Sequence, residues 1–162
     1  MTSKNPARAG EIFLALGANV AGPAGPPLST LNVALAALEK SGVNVLRVSA
    51  FYETTAWPDP GDPPFVNAVA EIQTCLEPIA LMTLLHGLET SLGRKRSAPN
   101  APRTLDLDLI DYQGRVEDGP VTLPHPRLAG RRFVLEPLAG IAPDWRHPVS
   151  NAHIQDLLAA AR

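Results

Sequence analysis

The order of the predicted elements in this chain indicates an α+β fold, a ferredoxin-like βαββαβ sandwich with C-terminal additions. Runs of β-branched and aromatic residues alternate with stretches whose apolar residues recur at helical spacing, in the order strand, helix, strand, strand, helix, strand. Residues 57–64, with four prolines, separate the two middle strands and must form a loop. We therefore expect an antiparallel sheet with helices covering one face.

The first half of the chain contains two predicted strands around one helix. Residues 11–16 form a short apolar strand. A helix is predicted over 28–40, with Ser29 or Thr30 as its N-cap and a single apolar stripe. Residues 43–54 are rich in β-branched and aromatic residues, which predicts one continuous strand.

The second half has the same order of strand, helix and strand, followed by further elements at the C-terminus. A strand is predicted over 65–74, and a helix over 77–92 has Pro78 in its first turn and Gly93 just past its end, the usual asymmetry of helix ends. A further strand contains residues 105–109. The expected C-terminal additions are a strand at 116–123, a short helix at 133–138 and a helix at 150–161 with Ser150 as its N-cap.

Composition and charge narrow the class of protein. The 162 residues suit one domain, placed at 11–162, after a polar, disordered tail at 1–10 without a signal-peptide segment. A net charge of −2 excludes a general polyanion-binding surface, so no nucleic-acid partner is expected. No apolar run approaches the roughly 20 residues that cross a bilayer, so no membrane partner is expected. With a single cysteine, Cys75, no intramolecular disulfide can form, which fits a reducing, cytoplasmic compartment. Cys75 itself is predicted to pack inside the protein without a chemical role.

Two carboxylates, Asp106 and Asp108, lie two residues apart in a run that is otherwise typical of a buried strand. Because side chains alternate along a strand, both carboxylates point to one face, roughly 6–7 Å apart, while the leucines between them point to the core. Like charges on one face repel each other, and Mg²⁺ held by carboxylates and substrate phosphates would compensate them. A solvated strand face or ordinary ion pairs remain the alternative.

Arginines flank this strand in the sequence. Arg94, Lys95 and Arg96 follow the second long helix, and Arg103 lies just before the carboxylates. Guanidinium groups bind phosphate bidentately, which would suit a phosphate substrate. Cations are also favourable at a helix C-terminus without any ligand, so a solvated helix end remains the alternative.

Two further segments carry residue types that bind ligands. His125 stands between two prolines and is followed by the pair Arg131 and Arg132, which indicates a phosphate-facing turn, or else a loop histidine without a chemical role. Phe65 and Asn67 lie on one face of a predicted strand, where a ring and an amide suit a planar heterocycle. A core aromatic beside a surface asparagine is the alternative for this second pair.

Seven motifs in chain order carry a resemblance to a known family. They are LGAN at 16–19, SAFYET at 49–54, FVNA at 65–68, the residues from 88 to 94, PRTLDLD at 102–108, PHP at 124–126 and RRFVLEPL at 131–138. On these motifs the chain resembles the 6-hydroxymethyl-7,8-dihydropterin pyrophosphokinases of folate biosynthesis. That resemblance implies transfer of pyrophosphate from ATP to the pterin alcohol, which gives AMP and the pterin diphosphate.

The resemblance also implies roles for individual residues, in a protein that acts on small molecules as a monomer. Asp106 and Asp108 would hold two Mg²⁺ ions, and Arg94 and Arg103 would be catalytic by stabilising charge on the transferring group. The ATP site would contain Glu89, Arg94, Arg96, His125 and Arg131. The pterin site would contain Phe65 and Phe133 around the ring, Asn67 at its edge and the backbone around Thr54.

The chain departs from the family pattern in two places. Asn100 and Ala101 stand where the family usually has an aromatic residue and a glycine, and His86 stands where a glutamine is common. Two alternative functions stay open on the residues. One is a Mg²⁺-dependent phosphohydrolase or nucleotidyltransferase that uses the same carboxylates, and the other is a non-catalytic pterin- or nucleotide-binding protein.

Overall fold

The computed structural model describes residues 10–56, 58–95 and 102–161. These residues form the predicted βαββαβ order and then C-terminal helices. Residues 1–9 of the predicted tail, and residues 96–101 with Arg96, Asn100 and Ala101, lie outside the described parts. The elements are β1 (Ile12–Ala18), α1 (Pro27–Lys40), β2 (Asn44–Val48), β3 (Tyr52–Thr54), β4 (Phe65–Gln73), α2 (Pro78–Ser91), β5 (Asp106–Tyr112), a 3₁₀ turn (Leu128–Gly130), α3 (Arg132–Ile141) and α4 (Ile154–Ala160).

The strands form one antiparallel sheet in the order β2–β4–β1–β5, and β3 also pairs with β4. This is the predicted ferredoxin-like arrangement, with β1 between β4 and β5. Gly17 of β1 is paired with Asn67 of β4 on one side and with Asp106 of β5 on the other, and Ala15 is paired with Asp108. The register therefore brings the predicted amide and carboxylates together at one end of the sheet.

Helices cover both faces of this sheet. Leu14 and Leu16 of β1 pack in an apolar cluster with α1 and α2, whereas Phe13 packs in a second cluster with α3 and α4. The prediction of helices over one face thus holds for α1 and α2 alone, and the C-terminal helices add a layer on the opposite face. Asp106 and Asp108 are paired with Gly17 and Ala15, which lie on the same face of β1 as Phe13 because alternate residues of a strand share a face. The predicted site therefore lies on the α3 face.

The strand predicted over 43–54 is two strands, and the interruption occurs at Ser49. The Ser49 N–H donates to the Val69 carbonyl at 2.9 Å, but the Val69 N–H donates to the Ser49 hydroxyl at 3.0 Å. That hydroxyl in turn donates to the Ala50 carbonyl at 2.8 Å. Because a side chain takes the place of a backbone acceptor here, the ladder breaks between β2 and β3.

The strand predicted over 116–123 is a turn closed by one bridge. The N–H groups of Glu117 and Leu123 donate to each other's carbonyls at 3.0 and 2.9 Å, and no longer ladder forms between the described residues there. Gly119 and Pro120 lie between them, and proline has no N–H to extend a ladder. The prediction of a strand was therefore wrong at this point.

Two predicted helix caps were also wrong. α1 begins at Pro27 without a side-chain cap, and the Thr30 hydroxyl donates to the Pro26 carbonyl at 3.4 Å instead. A proline-led first turn has fewer N–H groups to satisfy, which reduces the need for a cap such as Ser29. α4 begins at Ile154, where the His153 side chain accepts from the Gln155 N–H at 3.2 Å.

Ser150 lies in the turn before α4, where its hydroxyl accepts a hydrogen bond from the Ala152 N–H at 3.2 Å and so stabilises that turn rather than the helix.

Cys75 is exposed beyond the end of β4, so the prediction that it packs inside the protein was wrong. Among the described residues, no helix combines the length and the apolar character that a membrane crossing requires. The short helix predicted over 133–138 is confirmed as part of α3, which runs from Arg132 to Ile141.

Candidate active site

Two adjoining cavities meet at the Asp106 and Asp108 end of β5. The larger lies on the α3 face against β1 and β4, and the smaller lies between α2 and the turn that leads into α3. The larger cavity has a volume of about 680 Å³ and the smaller one about 320 Å³. We call the region that the two cavities share the junction. The residues that line both cavities are Arg103, Asp106, Asp108, Arg127 and Arg131.

The larger cavity contains the residues predicted for a planar heterocycle, namely Thr54, Phe65, Asn67 and Phe133. The Asn67 amide donates from Nδ2 to the Thr54 hydroxyl at 2.7 Å, so its orientation is fixed. Thr54 therefore enters the site through its side chain, and not through the backbone alone. A Cβ atom at Gly17 would lie 2.9 Å from Asn67 Oδ1, so the absence of a side chain at Gly17 gives this amide its place.

The junction holds the two carboxylates in different surroundings. Asp106 accepts from Arg94 at 2.8 Å through Oδ1 and from Arg103 at 3.2 Å through Oδ2. Asp108 lies 3.8 Å from the Arg131 guanidinium. Burial, followed by the negative charge of Asp106, raises the pKa of Asp108 to about 6, although Arg131 acts in the opposite direction. The junction is therefore a place where a further cation would relieve an unfavourable negative charge.

Glu89 of α2 connects the smaller cavity to β5, the strand that carries Asp106 and Asp108. It is 2% exposed, and its Oε1 accepts from the Leu107 N–H at 3.0 Å while its Oε2 accepts from Arg94 at 2.7 Å. Burial raises the pKa of Glu89, and the bond from Leu107 and the charge of Arg94 oppose that rise. Glu89 lines the smaller cavity, and its hydrogen bonds with Leu107 and Arg94 hold Arg94 between α2 and β5.

His125 lines the smaller cavity as a neutral imidazole. Burial and the charge of Arg131 lower its pKa to about 4. Its Nδ1 accepts from the Arg127 N–H at 3.1 Å, so the proton of the neutral ring is on Nε2, where it can be donated to a ligand. The backbone holds the ring in place, because the His125 N–H donates to the Ile110 carbonyl at 2.9 Å.

The structure thus brings together every predicted site residue that it describes. Glu89, Arg94 and His125 line the smaller cavity with His86, which is exposed at the surface of α2. Arg96 lies outside the described residues, and its predicted role stays a prediction. Sequence reasoning did not single out Arg127, although it lies two residues from His125 and also lines the junction.

Asn19 is a second residue whose role the sequence did not reveal. It is 2% exposed, and its Oδ1 accepts from the Arg103 N–H at 2.8 Å while its Nδ2 donates to the Pro63 carbonyl at 3.1 Å. Its own N–H donates to the Arg103 carbonyl at 3.1 Å. Asn19, just after β1, therefore holds the backbone of Arg103 and connects it to Pro63 in the proline-rich loop. Its position in the LGAN motif was the available signal.

The donor set at the junction suits a hard cation. Within the described residues no group of three or more histidine, cysteine, aspartate or glutamate side chains is arranged as a metal cage. Mg²⁺ is commonly bound through one or two carboxylates and substrate phosphates, which is what Asp106 and Asp108 offer between two cavities. The nearby arginines add charge that can neutralise phosphate oxygens.

The fold and the site define an α+β protein in which carboxylates and arginines separate an aromatic, amide-bearing cavity from a basic one. Comparison with known proteins identifies its family. The family model described as 7,8-dihydro-6-hydroxymethylpterin-pyrophosphokinase (HPPK) matches residues 13–143. The chain belongs to the HPPK family, as its motifs indicated.

Individual relatives support this assignment over most of the chain. A Synechocystis protein named 2-amino-4-hydroxy-6-hydroxymethyldihydropteridine pyrophosphokinase is 41% identical over 145 residues, which are 88% of this chain and 72% of the relative. A Pseudomonas aeruginosa protein of the same name is 37% identical over 152 residues, 93% of this chain and 91% of the relative. The crystal structure of Plasmodium falciparum HPPK-DHPS with pteroate has a TM-score of 0.72 at 13% identity; the match covers 99% of this chain and 45% of that one, and it supports the fold alone.

Proposed function

We propose that this protein transfers the pyrophosphoryl group of ATP to 6-hydroxymethyl-7,8-dihydropterin, with AMP and the pterin diphosphate as products. The junction carries this proposal, because an aromatic cavity and a basic cavity meet at Asp106 and Asp108. An acceptor in the larger cavity and a nucleotide in the smaller one would meet at these carboxylates. The names of the pyrophosphokinase relatives support the same reaction.

The larger cavity suits a pterin as the acceptor. Phe65 and Phe133 line it and would pack against the two faces of the ring, and Phe133 is 40% exposed. Stacking of this kind is favourable for flat aromatic systems. The fixed amide of Asn67, with Thr54 behind it, would bond the polar edge of the ring. These contacts would leave the hydroxymethyl group toward the junction.

The smaller cavity suits the nucleotide. Arg131 and the Nε2–H of His125 would bind phosphate oxygens, and Arg94 would stand at the end of the cavity nearest Asp106. Glu89 would act through its hold on Arg94. Arg96 is proposed to contribute to the same phosphate site on the basis of the family motif.

The reaction needs positioning and charge stabilisation more than an activated side-chain nucleophile. The acceptor hydroxyl oxygen forms a bond to the β-phosphorus, and the bond from that phosphorus to the oxygen shared with the α-phosphate breaks. AMP leaves with the electron pair, and the hydroxyl proton is released. Arg94 and Arg103 would stabilise the negative charge that develops on the transferring group, since fixed cations in a partly buried site are effective at this.

Mg²⁺ is proposed as the metal, with Asp106 and Asp108 as its protein ligands for two ions. When bound, the metal would neutralise phosphate charge and orient the phosphate chain. Burial and the charge of Asp106 raise the pKa of Asp108 to about 6, and a bound cation would offset both effects. We further propose that the protein is a monomer that acts on small molecules, not on nucleic acid or membranes, in the cytoplasm.

Product analysis tests the proposed function. Purified protein, ATP, the pterin alcohol and Mg²⁺ are combined, and the nucleotides are separated by chromatography. We expect AMP and pterin diphosphate in equal amounts, dependence on the pterin, and loss of both products in EDTA. ADP as the product, or ATP breakdown without the pterin, would contradict the proposal and favour a phosphohydrolase. Binding of both substrates without any product would favour a binding protein.

A further inference from the structure

Arg127 occupies a defined position that the roles described above do not use. It belongs to the turn between His125 and the 3₁₀ helix, and it lines both cavities. Two hydrogen bonds form this turn: the Arg127 N–H donates to His125 Nδ1 at 3.1 Å, and the Leu128 N–H donates to the His125 carbonyl at 3.1 Å. Leu128 is 1% exposed and anchors the turn in the core. The Arg127 side chain therefore extends from a fixed backbone.

The other arginines of the junction are already paired with carboxylates. Arg103 lies 3.2 Å from Asp106, and Arg131 lies 3.8 Å from Asp108. Arg127 is exposed, and its guanidinium has no carboxylate partner or side-chain hydrogen bond among the residues described for this chain. Of the three arginines that line both cavities, Arg127 is therefore the one without a carboxylate at ion-pair distance among the described residues.

The local electrostatics place this charge close to the nucleotide side. Arg127, Arg131 and His125 all line the smaller cavity, and the charges of both arginines act to lower the pKa of His125. An unpaired guanidinium at the edge of such a cavity favours an anion, and its planar fork matches two phosphate oxygens.

We propose that Arg127 is a phosphate-binding residue that holds the part of the ATP chain beyond the α-phosphate, at the junction where it would be transferred. This inference rests on the proposed function for the identity of the nucleotide. It adds Arg127 to the arginines already proposed for the phosphate chain, which are Arg94, Arg96, Arg103 and Arg131. Its contact with ATP requires no rearrangement of an existing ion pair.

Calorimetry on the full-length protein with Mg²⁺ tests the inference. The probes are α,β-methylene-ATP, whose bridging carbon resists the transfer reaction, AMP, and the pterin alcohol. Loss of a charged hydrogen bond implies about ten- to hundredfold weaker binding of the ATP analogue by Arg127→Gln. Affinities for AMP and pterin should stay within about twofold of wild type, because those ligands have no phosphate beyond the α-position.

Two variants serve as matched controls. Arg115→Gln removes an arginine that pairs with Glu77 at 2.7 Å and lines neither cavity, so it tests for a general effect of net charge and should leave all three affinities unchanged. Arg127→Lys keeps the charge but loses the fork, and should restore binding of the analogue in part. Thermal unfolding of Arg127→Gln should match wild type, since the exposed side chain contributes no internal bond.

The outcomes separate this inference from the proposed function. Analogue binding by Arg127→Gln at wild-type strength, or an equal loss of AMP affinity, would overturn the role of Arg127. Absence of analogue binding to the wild-type protein would overturn it as well. Wild-type protein that binds the analogue but forms no pterin-dependent AMP would overturn the proposed function, while a selective loss of analogue affinity would still support phosphate binding by Arg127.

Discussion

Asp106 and Asp108 are identical in chemistry and two residues apart, yet their surroundings differ. Asp106 accepts from two arginines at 2.8 and 3.2 Å. Asp108 has Arg131 at 3.8 Å, and burial and Asp106 raise its pKa to about 6. Burial and the charge of Asp106 thus disfavour the Asp108 anion, whereas two arginines contact Asp106 directly.

The two carboxylates should therefore respond to substitution with opposite changes in stability. The pKa of Asp108 is about 6 in the folded protein, compared with a reference value of 3.8 that applies to the unfolded chain. Between these pH values the folded state binds more protons than the unfolded state, so the stability of the fold decreases as the pH rises through this range. Asp108→Asn removes this charge. In EDTA at pH 7.5 we expect it to gain about 1–2 kcal/mol, or roughly 2–6 °C in Tm. The gain should disappear below about pH 4.

Asp106→Asn is the matched variant, and it should lower Tm at pH 7.5 because two short ion pairs are lost. Differential scanning calorimetry from pH 4 to pH 8 measures both effects. Both variants should lose turnover, since each removes a proposed metal ligand. Equal destabilisation by the two substitutions would show that Asp108 is not held as an unfavourable anion. Retained turnover at saturating Mg²⁺ would contradict the proposed metal roles.

At the scale of the elements, the register of three strands builds the site. Gly17 of β1 is paired with Asn67 of β4 and Asp106 of β5, so the amide proposed to bind the pterin and a carboxylate proposed to bind the metal lie at one level of the sheet. The Cβ atom that any other residue would place at Gly17 falls 2.9 Å from Asn67 Oδ1. A contact this short with a fixed, hydrogen-bonded amide has to displace that amide.

Gly17→Ala should thus weaken pterin binding while the nucleotide site persists. We expect the affinity for the pterin alcohol to fall about tenfold or more, since a displacement worth 1.4 kcal/mol has that effect, and the affinity for α,β-methylene-ATP to change little. Calorimetric titration with each ligand measures the two effects. Gly87→Ala is the matched control, because a Cβ there meets no atom within 4 Å and the site is on the exposed surface of α2.

Gly87→Ala should leave both affinities unchanged and stabilise the protein by about 0.5–1 kcal/mol, as expected for glycine replaced by alanine inside a helix. Unchanged pterin affinity in Gly17→Ala would show that the amide of Asn67 can move without loss of binding, which would contradict the account of this cavity.

At the scale of the whole molecule, the C-terminal layer is attached to the strand that carries the carboxylates. Asp111 of β5 is fully buried, and the Trp145 indole N–H donates to its Oδ2 at 3.0 Å, while Oδ1 accepts from the Gly114 N–H at 2.9 Å. A register shift between β1 and β5 accompanies this, because Phe13 is paired with Asp111 and Leu14 with Leu109. The buried bond thus joins β5 to the segment that follows α3.

Trp145→Phe tests this attachment. The phenyl ring fills part of the space of the indole but cannot donate to Asp111, so we expect a loss of about 1–3 kcal/mol and a Tm lower by several degrees. Thermal unfolding measures the loss. Tyr52→Phe removes a hydroxyl that makes no hydrogen bond among the described residues, and its Tm should stay near that of wild type. Equal Tm values for Trp145→Phe and the wild type would show that the bond to Asp111 adds no stability.

Much of this molecule could be predicted from local sequence. Glycine and proline at the ends of α2 place that helix correctly, and the alternation in residues 105–109 places the carboxylates on one face. Predictions failed where side chains compete with the backbone. The Ser49 hydroxyl replaces a ladder acceptor, and the His153 side chain caps α4 in place of Ser150. Whether a side chain replaces a backbone group in this way depends on which groups lie opposite it in the folded protein, and the residue type alone does not reveal that.

The sequence by itself determined the family, the order of the elements and the residue types at the site, because motif spacing and side-chain alternation are local properties. Tertiary structure alone decided which partner each residue has. It paired Asp106 with two arginines, buried Asp108 beside it so that the pKa of Asp108 is raised, and placed the C-terminal helices on the second face. It also brought Arg127 to the junction without an ion pair to any carboxylate in the described parts of the chain. Burial and distances between remote segments set these differences, and both arise only when the sheet has assembled.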